Sequence, residues 1–261
     1  MINRSCVLLC LICCGRPAPA GPIATAPVAD PAVETIRTAF PVPDGFTRQP
    51  ASEPKREAFA AYLGDLPVMA ASEPILTHAG DVVHRPARVI DVPMVPGDLQ
   101  QCADTLIRFR ASFLRQRGEN ISFFATSGDP IPWSRYSAGE RPYVNDRNIA
   151  WKQGSDGAWE SYLAYVFRWA GTLSLQAYET TPTTHPEPGD LLVQGGSPGH
   201  AVQIVDVATD TNGHTLLLIA QGFMPAQRAH LVIGPQSGWW RWDAGLDLGF
   251  WAFDSTHLRR W

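Results

Sequence analysis

The sequence predicts an α+β protein in which the N-terminal part of a long helix packs on an antiparallel sheet. Two patterns carry this prediction. Apolar residues recur at helical spacing over residues 98–115, and short apolar strands separated by glycine-rich turns follow over residues 189–220. The 261-residue chain is long enough to bury a core without a metal or a disulfide. Its hydrophobic content of 45% is typical of globular proteins and argues against collagen, coiled coil and bulk disorder.

The N-terminus has the pattern of an export signal over residues 1–20. Arg4 precedes an apolar run over residues 6–14, and small residues follow at positions 18–20. The run is shorter than the roughly 20 residues that a membrane-spanning helix needs, so we expect no transmembrane span after cleavage. Residues 11–14 loosely resemble a lipobox, which leaves a lipid-anchored form as the alternative. We expect an exported protein of the periplasm or cell surface.

The remaining chain divides into a linker and one domain. Residues 21–44 are rich in alanine and proline, which is typical of a linker without a core. Residues 45–261 carry the periodic apolar patterns, and we expect them to form a single α+β domain. Within it, residues 117–157 have the glycine, proline, asparagine and aspartate content of loops, which predicts an insertion lining a cleft.

The helical patterns follow a definite order along the domain. A short helix is predicted over residues 55–63 and strands within residues 81–95. The long helix over residues 98–115 follows, with Asp98 as the expected N-cap. A second long helix is predicted over residues 159–178, where apolar side chains recur every three or four positions.

Three strands are predicted after the second long helix. The first begins at Asp190, the second spans residues 201–207 and the third spans residues 216–220, ending at Gln221. The turn containing Asn212 and Gly213 should pair the second and third strands antiparallel.

Cys102, at the start of the long helix, is the candidate nucleophile. The other four cysteines lie within the export signal, so a cleaved chain retains one thiol. A helix start presents unpaired N–H groups and a partial positive charge, which favour a thiolate and can stabilise an oxyanion. The adjacent Gln101 is the candidate oxyanion donor. The alternative is that Cys102 is a small apolar residue on the buried face of the helix.

His200 and Gln221 complete the candidate site. His200 opens the second strand and is suited to accept the thiol proton, while a neighbouring amide such as Gln221 would set its ring orientation and tautomer. Asp206, Gln203 and Gln227 remain alternatives for that third role. For His200 itself, the alternative is a structural hydrogen bond to a turn carbonyl.

The sequence predicts no cofactor, no metal and no nucleic-acid partner. Its 21 Lys and Arg against 25 Asp and Glu give a formal net charge of −4, whereas nucleic-acid binding typically needs a basic surface. The seven histidines match neither HExxH nor His-x-His spacing, so a zinc hydrolase is only a third alternative. The GGSPG segment precedes a strand, whereas a phosphate-binding loop precedes a helix.

Three segments closely resemble a bacterial family, domain of unknown function 4846 (DUF4846). These are DLQQCAD at residues 98–104, GGSPGHAVQIVDVA at residues 195–208 and AQGFMPAQ at residues 220–227. The resemblance runs from about residue 45 to residue 260. The family favours Ser-Tyr where this chain has Gly222-Phe223.

The order helix-Cys, strand-His, strand-polar also resembles the papain-like NlpC/P60 and CHAP superfamily, whose members mostly cleave amide bonds in bacterial cell-wall peptides. This resemblance implies a papain-like core in which Cys102 is the nucleophile, His200 the base and Gln221 the third residue. It also implies a peptide or cell-wall fragment as substrate. The alternative function is a non-catalytic cell-envelope binding protein on the same scaffold, with a tryptophan-rich surface as its contact.

Overall fold

A computed structural model describes residues 33–155 and 157–261 of the chain. The predicted export signal and residues 21–32 of the predicted linker lie outside this part. The described residues form an α+β structure with a large antiparallel sheet, as the sequence predicts.

The helices are mostly short. In the described residues they are α1 (Ile36–Ala39), α2 (Pro54–Gly64), α3 (Cys102–Gln116), α4 (Trp133–Ser137), α5 (Trp159–Trp169) and α6 (Thr172–Ser174), with a π-helical turn at Leu175–Glu179 and a 3₁₀ turn at Ser255–His257. Within this described part, no helix is both long enough and apolar enough to cross a membrane.

Among the described residues, nine strands form the main sheet, and the others form two-stranded hairpins. In chain order the strands are β1 (Phe46–Arg48), β2 (Ile75–Leu76), β3 (Val82–Val83), β4 (Ala87–Val89), β5 (Ser122–Phe124), β6 (Pro130–Pro132), β7 (Glu140–Asn145), β8 (Asn148–Gln153), β9 (Thr181–Pro182), β10 (Leu191–Gln194), β11 (His200–Asp210), β12 (Thr215–Gln221), β13 (His230–Val232), β14 (Trp240–Trp242), β15 (Gly245–Asp247), β16 (Ala252–Asp254) and β17 (Leu258–Arg260). The main path runs β4-β13-β12-β11-β10-β17-β9, with β1 beside β11 and β14 beside β12.

The centre of the sheet is buried on both faces. Ala201 and Ala220 lie in the main apolar cluster together with Leu106 of α3, so α3 packs on one face of β11 and β12. Val202 and Ile219, which alternate with them along the same strands, lie in a second cluster on the opposite face. Side chains at successive strand positions point to opposite faces, so neighbouring residues here enter different cores.

Helix α3 begins four residues later than predicted, and this shift places Cys102 at its first position. The N-cap is Gln101, whose N–H donates to the Asp104 carboxylate at 3.0 Å. Asp98, the predicted N-cap, instead accepts the N–H of Ala226 at 2.6 Å and so ties the chain after β12 to the segment before α3.

Two predictions about chain organisation are wrong. Residues 21–44 do not lie wholly outside the core, because Ile36 in α1 is fully buried in the main cluster. Residues 117–157 are not a loop insertion, because they form two hairpins and α4, and Phe123 and Tyr136 are buried in the main cluster. These two aromatic residues are buried although their sequence neighbours are polar.

The second predicted helix is shorter than its apolar pattern suggests. The pattern extends to residue 178, but α5 ends at Trp169, and Gly171 separates it from the short α6. A π-helical turn over Leu175–Glu179 then completes the segment. Apolar spacing does not distinguish one long helix from two short ones.

The packing of α3 on the sheet predicts that Gly222→Ala is destabilising. A Cβ atom there would lie 2.2 Å from Thr105 Oγ1 and 2.8 Å from the Gln101 carbonyl oxygen. Overpacking of this kind costs about 1–3 kcal/mol, to be measured by urea unfolding.

Two variants control this test. Gly171→Ala is the matched control, because a Cβ there meets nothing within 4 Å. In a double-mutant cycle, Thr105→Ala should recover part of the loss by vacating the space. Additive effects of the two substitutions would contradict this account.

Candidate functional site

Cys102 lies where α3 meets the start of β11. Its side chain is buried, with 7% of the residue exposed. Backbone N–H groups of Ala103 in its own helix and of Ala201 in β11 lie close enough to the sulfur to lower the pKa of the thiol. Ala201 directly follows His200, so the structure brings the thiol to the strand position next to the candidate base.

His200 belongs to a chain of buried hydrogen bonds that crosses three strands. Its Nε2 atom lies 2.9 Å from Gln221 Oε1 on β12. The Nε2 atom of that amide lies 3.2 Å from His230 Nε2 on β13. The chain ends where His230 Nδ1 lies 2.8 Å from the carbonyl oxygen of Arg228.

The Arg228 carbonyl sets the direction of every hydrogen bond in this chain. A carbonyl only accepts, so His230 must carry its proton on Nδ1 and present a lone pair at Nε2. The Gln221 amide then donates to His230 and turns its oxygen towards His200, which must donate from Nε2. A neutral His200 is thereby held in the tautomer that has a free lone pair on Nδ1, as a general base requires.

Aromatic rings enclose His200, at one end of this series of hydrogen bonds. The ring centroids lie between 5.1 and 6.2 Å from that of His200, and the rings belong to Phe223, Phe250, Trp251 and Phe253. Burial lowers the pKa of His200 and of His230 to about 4. Both rings are therefore neutral at pH 7, which is the state the hydrogen-bond directions describe.

Arg85 covers the same aromatic group. Its guanidinium lies 4.5 Å from the Phe250 centroid and 5.2 Å from the Phe223 centroid. Its positive charge opposes protonation of both histidines and lowers the pKa of each, as a secondary effect after burial.

The thiol and the imidazole approach the strand from different sides. His200 packs with Phe253 of the second cluster, whereas Cys102 lies on the α3 side with Ala201. Within residues 33–155 and 157–261, no hydrogen bond joins Cys102 to His200. Because His200 is the first residue of β11, the two side chains can meet only around this end of the strand.

The expectation that the helix start favours a thiolate is wrong for the structure as it stands. Burial raises the pKa of the Cys102 thiol above its ordinary value, and the nearby Asp104 carboxylate raises it further. The N–H groups of Ala103 and Ala201 lower that pKa, but by less. Burial also raises the pKa of Asp104 to about 8. At pH 7 Cys102 is a thiol.

The predicted oxyanion donor has another partner. The Gln101 side chain donates to Asp98 Oδ1 at 3.1 Å, on the exposed side of the helix start. Its role as an oxyanion donor stays a prediction.

Among the described residues, the other side chains considered for orienting His200 do not bond to it. Asp206 accepts Arg48 Nε at 2.5 Å, and Gln203 donates to the Asp190 carbonyl at 2.8 Å. The Gln227 oxygen is buried and has no hydrogen-bond partner in the described structure. Of the four polar residues considered, Gln221 is the one whose side chain bonds His200.

Sequence reasoning missed His230 and Asp104. His230 opens an apolar strand, as His200 does, and that shared position was an available signal. Asp104 stands three residues after the N-cap, where a carboxylate commonly closes a capping box, so nothing in its position indicated contact with a thiol. In the described part of the chain, no three His, Cys, Asp or Glu side chains cluster as metal ligands would.

Comparison with known proteins gives one match. A family model described as "Domain of unknown function (4846)" matches residues 36–260. It starts at the first residue of α1, consistent with the burial of Ile36. No curated protein and no solved structure matches the chain significantly.

The surroundings of Cys102 predict slow alkylation of the native protein. Because the pKa of the thiol is raised, iodoacetamide should modify Cys102, followed on the peptide that contains it, more slowly in folded than in urea-unfolded protein at pH 8. Asp104→Asn should speed the reaction above about pH 8, where the wild-type carboxylate is charged, and should change it little below pH 7.

The control for this experiment is Asp98→Asn. It removes an exposed carboxylate near the helix start that is not among the groups shifting the pKa of Cys102. Equal reaction rates of folded and unfolded wild type at pH 8 would show that the thiol is not shielded.

Proposed function

We propose that this chain, which belongs to the family described as domain of unknown function 4846, is an exported thiol hydrolase of amide bonds. Cys102 is the nucleophile and His200 the general base, and peptides of the bacterial cell wall are the proposed substrates. The observation that carries the proposal is the hydrogen-bond chain from Arg228 to His200, because it leaves the Nδ1 lone pair of His200 free. The contact between the Cys102 thiol and Ala201 supports it further.

The proposed reaction starts from neutral groups. The Cys102 thiol turns from the Ala201 N–H towards His200 Nδ1 around the start of β11. Its proton passes to Nδ1 as the sulfur attacks the amide carbonyl, so no thiolate–imidazolium pair exists beforehand. Backbone N–H groups at the start of α3 can donate to the oxyanion once the sulfur has moved away from them.

The protonated imidazole then completes the turnover. It donates its proton to the leaving amine, and the carbon–nitrogen bond breaks to leave a thioester on Cys102. Water then loses a proton to the same Nδ1 atom as its oxygen attacks the thioester carbonyl. The carbon–sulfur bond breaks, the imidazolium returns the proton to the sulfur, and the thiol and a carboxylic acid are released. Gln221 keeps the imidazolium oriented through both steps, because its oxygen accepts the Nε2 proton.

The proposal includes a papain-like arrangement of the core. A helix that begins at its cysteine packs on an antiparallel sheet whose adjacent strands supply histidine and a side-chain amide. This order is similar to that of the NlpC/P60 and CHAP superfamily. Export to the periplasm or cell surface is proposed from residues 1–20 of the sequence alone.

A non-catalytic cell-envelope binding protein is the second candidate. This second candidate is favoured by the burial of the Cys102 thiol and by the lack of a hydrogen bond between it and His200 in the described structure. Its expected tryptophan-rich surface is largely internal, because Trp239 is fully buried and Trp240, Trp242 and Trp251 pack partly buried on the second cluster. A binding surface would therefore depend on exposed apolar residues such as Leu173 and Met224.

Cys102→Ala tests the hydrolase directly. With cell-wall peptide fragments as substrate, release of new amino groups should fall to background, while the melting temperature changes by only a few degrees because the side-chain volumes are similar. His214→Gln, at an exposed position in the turn between β11 and β12, should retain wild-type turnover. Saturable binding of the fragments without turnover, unchanged by blocking the thiol, would instead support the second candidate.

His230→Leu tests the hydrogen-bond chain. Without the His230 acceptor, the Gln221 amide can reverse and donate to His200, which moves the His200 proton to Nδ1 and removes the base. Turnover should fall by about 10²- to 10⁴-fold, as expected for a catalytic histidine in the wrong tautomer. Imidazole ¹⁵N chemical shifts of His200 would report the tautomer directly.

His230→Gln is the conservative control for the same position. A glutamine oxygen can again accept from Gln221, so this variant should retain more turnover and the Nε2–H tautomer of His200. An unchanged tautomer in His230→Leu would show that His230 does not set the state of His200.

A further inference from the structure

We infer that a cavity between α2, α3 and the C-terminal strand binds a small organic carboxylate through Arg110. The cavity has a volume of about 240 Å³. Its wall includes Arg110 of α3, Phe59 of α2 and Trp261 after β17. Arg110 lies eight residues after Cys102, which places it about 12 Å further along the helix axis. The inference does not depend on the proposed function.

Aromatic rings hold the Arg110 guanidinium in place. Its central carbon lies 4.9 Å from the Phe59 centroid, 5.6 Å from that of Phe113 and 5.7 Å from that of Trp261. Contacts with ring faces use the charge and the flat surface of a guanidinium, whereas its N–H donors lie in its plane. The donors therefore stay available to a ligand in the cavity.

Arg110 differs from the other cations in the wall because it has no ion pair in the described part of the chain. Lys55 Nζ lies 2.6 Å from Glu119, and Arg260 pairs with Asp190 at 2.7 Å. Arg56 pairs with Glu187. For Arg110 no hydrogen bond and no ion pair occurs among the described residues. Glu119 and Glu179 attract it only at longer range.

The unpaired Arg110 guanidinium is also partly buried. Desolvation lowers the pKa of Arg110, which shows that the guanidinium has lost part of its water shell. The indole Nε1–H of Trp261, in the same wall, is buried and also lacks an acceptor in the described structure. An anionic ligand in the cavity would supply an acceptor for Arg110 and recover part of its desolvation cost.

The wall favours a carboxylate with an apolar body over a phosphate. A single free guanidinium fork matches the two oxygens of one carboxylate. Phe59, Pro188 and Trp261 offer an apolar surface for the rest of the molecule, while Glu53 in the same wall repels a dianion. The other cations of the wall, Lys55, Arg56 and Arg260, are already paired with carboxylates. The volume lies below the 300–1,000 Å³ typical of sites for drug-sized molecules, so the ligand is small.

Titration calorimetry with benzoate tests the inference. Benzoate should bind the full chain with a dissociation constant of about 1 mM or tighter. Benzamide, which has the same shape without the charge, and inorganic phosphate should each bind at least about tenfold more weakly. Arg110→Gln should weaken benzoate binding at least about tenfold, as loss of a charge-assisted hydrogen bond implies.

Arg115→Gln is the matched control on the same helix. Arg115 stacks on Trp159, away from the cavity, so its loss should leave benzoate binding unchanged. In case Arg110→Gln fails to fold, amide chemical-shift changes in the wild-type protein should centre on Phe59, Gly189 and Trp261. Absence of benzoate binding, equal binding of benzamide, equal or tighter binding of phosphate, or shifts centred elsewhere would overturn the inference.

Discussion

The central constraint in this protein is that one backbone carbonyl can only accept a hydrogen bond. The Arg228 carbonyl determines which nitrogen of His230 carries the proton, and this decides how the Gln221 amide is oriented. The amide in turn decides the tautomer of His200. All three side chains are buried, so water cannot replace a hydrogen-bond partner that points the wrong way. Reversing one hydrogen bond would therefore leave the neighbouring one unsatisfied as well, which adds to the free-energy cost.

Burial shifts the pKa values of His200 and Cys102 in ways that both favour and oppose proton transfer between them. Lowering the pKa of His200 keeps its ring neutral and able to accept a proton, but it also makes the ring a weak base. Raising the pKa of Cys102 protects the thiol from oxidation and makes the thiolate harder to form. The proposed reaction must therefore move the proton as the sulfur attacks, and it requires that substrate binding bring the two side chains together.

Local sequence patterns correctly predicted the elements whose apolar periodicity is bounded by turn-forming residues such as glycine and proline. The helix over Pro54–Gly64 and the three antiparallel strands up to Gln221 follow their patterns closely. The start of α3 was misplaced because Asp98 is a good N-cap by residue type but is engaged by Ala226, 128 positions away. The two hairpins over residues 117–157 were missed because their buried aromatic residues stand among polar and turn-forming neighbours.

The sequence by itself determined the α+β class, the order of cysteine, histidine and glutamine along the chain, and the strands that carry the last two. Those properties depend on periodicity and turn chemistry within a few residues. Only the tertiary structure decided that His200 and Cys102 approach from opposite faces and that His230 directs Gln221. Sheet faces and hydrogen-bond directions depend on which distant strands pair and in what register, and a one-residue shift would reverse every face.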